Sequence, residues 1–210
     1  MSAPRILVLA AHPALQHSHV NRPMIEAARG LAHVELRDLY ALYPDYAIDV
    51  AAEQAAAAAA DLIVWQHPWQ WYSMPPLMKL WLDEVLAHGW AYGHDAQGRA
   101  TRALAGKDLW LATSTGGAES AYHPRGYNRH FFDDFLPPYR QTAALCGLRF
   151  LPPLVCHGAH ALDAAALQAH LQVWVDRLRH YPDWPELAGL RDCPDCEVPT
   201  TDRPAPEETA

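Results

Sequence analysis

The chain is short of positive charge: its 210 residues hold 16 Lys and Arg against 24 Asp and Glu, a formal net charge of -8. Binding along a nucleic acid needs clustered Lys and Arg to neutralise phosphates. No such cluster is visible, so no nucleic-acid partner is expected. Cysteine is also scarce, with four residues. Cys146 and Cys156 stand in apolar surroundings and read as small buried hydrophobes. Cys193 and Cys196 form a CPDC in a Pro-rich acidic stretch with no second pair nearby, so neither a disulfide framework nor a zinc site is indicated. No stretch approaches the roughly 18 apolar residues of a membrane span. The apolar run from Ile6 to Ala11 is shorter than the about 7 to 15 residues of a signal-peptide core, and His12-Pro13 follows it directly. It reads as a strand, and the expected location is the cytoplasm.

Several site motifs are missing too. No GxGxxG follows the first strand, and Gly106-Lys107 lacks both the upstream Gly and the following Ser or Thr of a P-loop. No GxSxG elbow occurs, which argues against an α/β-hydrolase. His12, His17 and His19 lie close together, but no acidic or Cys ligands cluster with them, so no metal is expected.

What is present is an ordinary globular composition, 50% hydrophobic and 19% charged, enough to bury a two-sided sheet. One α/β domain is expected over residues 1–182, followed by a mobile Pro-rich acidic tail, 183–210. RILVLA at 5–10 is a continuous apolar run, as a central parallel strand requires. A helical pattern follows from Ser18 to Gly30, then an alternating edge strand, His33 to Leu39. Residues 49–60 are Ala-rich and predict a close-packed helix. LIVWQ at 62–66 is the third strand, and Ser73-Met74-Pro75-Pro76 opens a helix that runs to Leu86. That helix is apolar around nearly its whole circumference, so a second subunit is expected to cover one side. Gly-rich residues 88–107 form a loop, and 108–114 (DLWLATS) is strand four. A helix from Asn128 to Cys146, kinked at Pro137-Pro138, precedes strand five at 149–156, whose proline pair sends it to the sheet edge. The last helix runs from Asp163 to Tyr181. Five strands alternating with helices predict a doubly wound α/β sheet in the flavodoxin-like order 2-1-3-4-5, with its ligand beyond the C-terminal strand ends.

Three segments should meet there. HPALQHSHVN places Ser18, His19 and Asn21 at a helix start, where free N–H groups and the helix dipole favour a phosphate; a plain N-cap is the alternative. HPWQWYSMP carries Trp69, Trp71 and Tyr72, an aromatic density that a flat ring or another subunit would cover. STGGAESAY contains Thr115-Gly116-Gly117, whose paired glycines admit a planar ligand close to the backbone, or simply form a tight turn.

On HSHVN, AAEQ, DLIVWQHPWQWYSMPPLMKLWLDEVL, GWAYG, STGGAESAY and CGLRFLPP, the chain resembles the flavodoxin-like NAD(P)H:quinone oxidoreductases from about residue 5 to 180. Within them it is most similar to the KefF-type ancillary oxidoreductases of glutathione-regulated potassium efflux systems. The resemblance implies FMN, with FAD as the alternative, and NADH or NADPH as the reductant. It implies ping-pong hydride transfer to a quinone, with azo or nitro acceptors as the variants. A membrane potassium-efflux protein is the implied partner, at the inner face of the membrane, and binding to it rather than catalysis is the alternative role. Ser18, His19 and Asn21 would hold the FMN phosphate with His12 nearby. Trp69, Gln70, Trp71 and Tyr72 would flank the isoalloxazine, and Thr115, Gly116, Gly117 and Ala118 would meet its pyrimidine edge. Tyr122 matches the family's catalytic Tyr; the position of the accompanying His holds Asn128, with His123 and His130 close by.

Overall fold

A computed structural model of the chain describes residues 3–190. Its sheet is parallel throughout. Strand β1 (Ile6–Ala10) lies between β2 (Val34–Asp38) and β3 (Leu62–Pro68), and β4 (Asp108–Ser114) follows β3, giving the order 2-1-3-4-5. Ile6 stands level with Val34 on one side and Leu62 on the other, and Leu62 with Asp108. The fifth position is split into β5 (Arg149–Phe150) and β6 (Leu154–Cys156), both paired to β4. Pro152-Pro153 causes the gap, since a proline has no N–H for the ladder.

The central strands are buried on both faces, which explains their unbroken apolar runs. Side chains alternate: Leu7, Leu9, Ile63 and Trp65 enter one core layer, Ile6, Val8, Leu62 and Val64 the other. The first layer packs under α3 (Val50–Ala59), α4 (Pro76–Val85) and α5 (Pro137–Leu145); α1 (Asn21–Arg29) and α6 (Ala164–His180) cover the second. The short α2 (Leu39–Leu42) links β2 to the loop before α3. Trp174 on α6 donates its Nε1–H to the Met24 carbonyl on α1 at 2.9 Å, locking these two helices together.

Two expectations change. The helix expected from Asn128 begins instead at Pro137, after a 3-10 turn at Phe132–Phe135. The two prolines occupy the first helical positions, where no N–H is needed, so they start the helix rather than kink it. Nor does the packed region stop at residue 182. Trp184 is buried against Trp110, its ring 4.9 Å away, under the Arg177 guanidinium, and Leu187 is buried behind it. Cys193 and Cys196 lie outside the described residues. On α4, the protein itself buries Leu77, Met78, Trp81 and Val85, leaving Leu80 and Leu82 partly exposed. No helix among the described residues is long and apolar enough to cross a membrane.

Candidate functional site

The three loops are joined at Ser114, the last residue of β4. Asn21, the first residue of α1, is buried, and its Nδ2 donates to Ser114 Oγ at 2.8 Å while its Oδ1 accepts from Gln66 Nε2 at 2.6 Å. The Ser114 carbonyl in turn accepts the Trp69 N–H at 2.7 Å. Asn21 therefore clamps the loop after β1 to the ends of β3 and β4, its side chain turned into the protein. Ser18 caps the helix, its Oγ accepting from Asn21 N at 2.9 Å. The backbone N–H groups of His19, Val20 and Arg22 have no acceptor among the described residues, so the helix start keeps donors for an anion. His19 is exposed. His12 is half-buried, accepts the Ala14 N–H at 3.1 Å, and has its pKa lowered by burial against the opposing pull of Asp38.

Beside this clamp a cavity of about 410 Å³ is lined by Trp69, Trp71, Tyr72, Gly116, Gly117 and Tyr122, together with Ala121, Tyr127 and Asn128. Gln70 and Ser73 exchange two backbone hydrogen bonds of 3.0 Å across Trp71 and Tyr72. Those two residues have φ of 48° and 62°. A turn of this hand usually takes Asn-Gly, and bulky side chains in the left-handed region cost roughly 1–3 kcal/mol each. The strain presents the Trp71 ring, which is 94% exposed, over the cavity. Below it Trp69 is buried against Phe132 and Tyr139, with its Nε1–H unpartnered. Tyr72 stacks on Phe135 at 5.1 Å and donates its hydroxyl to Asn128 Oδ1 at 3.3 Å.

The third loop leaves Gly116, Gly117 and Ala118 exposed and Thr115 buried beneath them. Thr115 Oγ1 donates to the Gly117 carbonyl at 2.7 Å, which shapes the turn. Tyr122 is 8% exposed and lies among Phe132, Phe135 and His157. Burial raises its pKa, and the Thr115 contact opposes the rise, so the phenol keeps its proton at neutral pH.

Of the residues singled out from sequence, the cavity gathers Trp69, Trp71, Tyr72, Gly116, Gly117 and Tyr122; His12, Ser18, His19, Asn21, Gln70, Thr115 and Ala118 are not on its wall. Tyr127, 87% exposed, and His157 were not found by the sequence reading. His123 and His130 point elsewhere: both are exposed, the first against Phe131 and the second 3.7 Å from Asp134. His157 stands beside Tyr122 instead, on the loop after β6. The rule that ligands gather at C-terminal strand ends covers that loop as well, and applying it to the fifth strand would have found it.

Behind the aromatic wall, His67 is fully buried beside Trp69 and Tyr139, its ring 6.1 and 6.0 Å from theirs, with Nδ1 at 3.0 Å from the Pro68 carbonyl. Burial drives its pKa from 6.5 to about 4. The folded state prefers the neutral ring, so the stabilisation is complete above pH 6.5 and disappears as pH falls towards 4. Urea unfolding should lose roughly 2–3 kcal/mol over that window. His67→Phe should remove this part of the slope, and an unchanged slope would show that another group titrates.

The comparisons agree with this geometry. Residues 4–178 match the family described as flavodoxin-like fold. The glutathione-regulated potassium-efflux system ancillary protein KefF of Citrobacter koseri is 53% identical over 173 residues, 82% of this chain and 94% of that protein. Among solved structures, a thermophilic tryptophan halogenase described as from Streptomycin violaceusniger has a TM-score of 0.77 at 38% identity, covering 83% of this chain and 98% of that one. General stress protein 14 of Treponema denticola, in complex with FMN, has a TM-score of 0.74 at 36% identity, covering 84% and 97%. An NADPH-quinone reductase of P. pentosaceus also has a TM-score of 0.74, at 26% identity, covering 84% and 98%. With its 2-1-3-4-5 sheet, its cavity at the strand ends and a match spanning residues 4–178, the chain belongs to the flavodoxin-like fold family.

Proposed function

We propose that the protein is an FMN-dependent NAD(P)H:quinone oxidoreductase that acts as a KefF-type ancillary subunit. The observation that carries this reading is the cavity at the strand ends, with a strained, exposed Trp71 on one wall and Gly116-Gly117 on the other. Its residues fit a flat anionic ring system. Trp69, Trp71 and Tyr72 supply aromatic faces, the Trp69 Nε1–H is a buried donor without an acceptor, and the exposed glycines let backbone N–H groups approach a ring edge. The His19, Val20 and Arg22 N–H groups would hold the phosphate. When bound, FMN supplies the two-electron exchange between NAD(P)H and a quinone. The protein would bind and orient it and exclude water, and Tyr122, its phenol protonated at neutral pH, would hold a hydrogen-bond proton at the cavity wall.

The FMN of the Treponema denticola structure and the quinone reductase name of the P. pentosaceus structure support this reading. The test is the absorption spectrum and mass-identified cofactor of the purified protein, then bleaching by NADH or NADPH and recovery with quinones, azo and nitro compounds. A colourless chain with no affinity for FMN overturns it. Halogenation of tryptophan without quinone reduction would favour the halogenase description instead. Tyr122→Phe should retain FMN and lower kcat about tenfold, the loss of one hydrogen bond to developing charge. Loss of FMN from that variant would count against the role.

The packed domain extends to residue 190. A homodimer formed over Leu80 and Leu82 of α4, and a cytoplasmic location beside a potassium-efflux membrane protein, complete the reading. The 53% identity to the Citrobacter koseri ancillary protein supports the partner. Light scattering of the purified chain tests the dimer, and binding of an FMN-free variant to a cytoplasmic transporter fragment tests whether the partner role is separate from catalysis.

A further inference from the structure

A fourth loop closes the site. After β6 the chain continues through His157, Gly158, Ala159 and His160, and backbone hydrogen bonds of 2.9 Å stitch this segment to the glycine turn: Thr115 N to Cys156 O, Gly158 N to Gly117 O, and Ala159 N to Thr115 O. A Cβ on Gly116 would stand 3.2 Å from the His160 ring, so the two loops are in contact. At their junction two groups meet Thr115 Oγ1: the Gly117 carbonyl at 2.7 Å and His157 Nδ1 at 3.0 Å.

A hydroxyl has one proton and two lone pairs. The Gly117 carbonyl can only accept, so it takes the Thr115 proton. His157 must then donate from Nδ1 to a lone pair of Thr115 Oγ1. This assignment fixes the His157 tautomer and leaves Nε2 as the nitrogen that gains or loses a proton. The imidazole sits 5.2 Å from the ring of Tyr122, which lines the cavity, and 5.5 Å from Phe132.

We infer that His157 is a positioning residue of the flavin site: through Thr115 it holds the glycine turn beside Tyr122, and when protonated it favours reduced over oxidised FMN. The inference rests on the flavin reading above. A positive charge next to the pyrimidine edge is attracted to the negative charge that reduction places there. Burial lowers the His157 pKa, and the Glu119 carboxylate acts against that. Its other titratable neighbours are Tyr122, Cys156 and His160. Tyr122 and Cys156 are both raised by burial and stay neutral below pH 8, which leaves the two histidines to be told apart by substitution.

The experiment measures dissociation constants of oxidised FMN, by fluorescence quenching, and of reduced FMN, by anaerobic titration, from about pH 5 to about pH 8, across the histidine range. In the wild type the preference for reduced FMN should rise by about tenfold towards acid, the effect of one added charge. His157→Asn places an amide N–H where Nδ1 stood, so it should bind as the wild type at high pH and lose the acid rise. His157→Phe removes the donor and should weaken both forms by about tenfold at every pH. His160→Gln should retain the wild-type profile. An acid rise that persists in His157→Asn, or wild-type affinity in His157→Phe, overturns this inference alone. A wild-type chain that binds neither form overturns the flavin reading and this one with it.

Discussion

Glu53→Ala is expected to lower the unfolding free energy by about 3–5 kcal/mol, the scale for removing one partner of a buried ion pair. Glu53 lies in the Ala-rich α3, is 0% exposed, and receives Arg37 Nη2 at 2.6 Å, Tyr43 Oη at 2.6 Å and Trp81 Nε1 at 2.8 Å. One carboxylate thus joins β2, the loop before α3, α3 itself and α4. Alanine leaves a guanidinium, a phenol and an indole N–H facing a void. Removing an acceptor costs the desolvation of every donor left behind. In a domain of this size each kcal/mol moves Tm by roughly 2–4 °C, so a drop of roughly 6–20 °C should appear by calorimetry or circular dichroism. Glu53→Gln keeps the shape and part of the bonding and should fall between. A Tm unchanged in Glu53→Ala would mean that Arg37 escapes to solvent without penalty.

The second large effect is expected at Asn21. Asn21→Leu keeps the volume but strands the Gln66 amide and the Ser114 hydroxyl, both buried. Stability should fall by about 2–6 kcal/mol in urea unfolding, from two unpaired groups at about 1–3 kcal/mol each. The functional loss should be more telling. Without the clamp, the helix start that carries the phosphate donors loses its register with Trp69 and the Thr115 turn, and FMN affinity should drop about 10- to 100-fold. Flavin fluorescence quenching measures this directly. Ser18→Ala is the milder comparison: it removes the Oγ that accepts from the Asn21 N–H and, at 3.3 Å, from its Nδ2, about 1 kcal/mol, and keeps the bonds of Asn21 to Gln66 and Ser114. Full FMN affinity in Asn21→Leu would show that other contacts hold the loops together.

Both predictions concern residues whose chemistry the sequence displayed and whose role it concealed. Asn21 was legible as a polar residue at a helix start, which suits a ligand contact and a structural clamp equally well. Only the proximity of Gln66 and Ser114, 45 and 93 residues away, decides between them. Glu53 was invisible, because an acidic residue in an Ala-rich helix reads as solvent-facing until Arg37, Tyr43 and Trp81 are folded around it. His157 was missed because it follows a strand broken by prolines, and Pro137-Pro138 was misread because a proline pair can end a helix or begin one. Trp71 and Tyr72 were legible as an aromatic pair at a strand end, but their left-handed backbone has no sequence signature.

What the sequence determined by itself was everything carried by short-range pattern: unbroken apolar runs that can only be covered strands, helical periodicity between them, glycines and aromatics at the strand ends, and the motifs shared with a family. Those signals depend on neighbours within about one or two turns of chain, so they survive in one dimension. The tertiary structure alone decided which polar groups are partnered. A hydrogen bond between distant residues depends on distance and angle in the folded state, so the clamp at Ser114, the carboxylate under α3 and the His157 bond at Thr115 exist only once the sheet has brought its loops together.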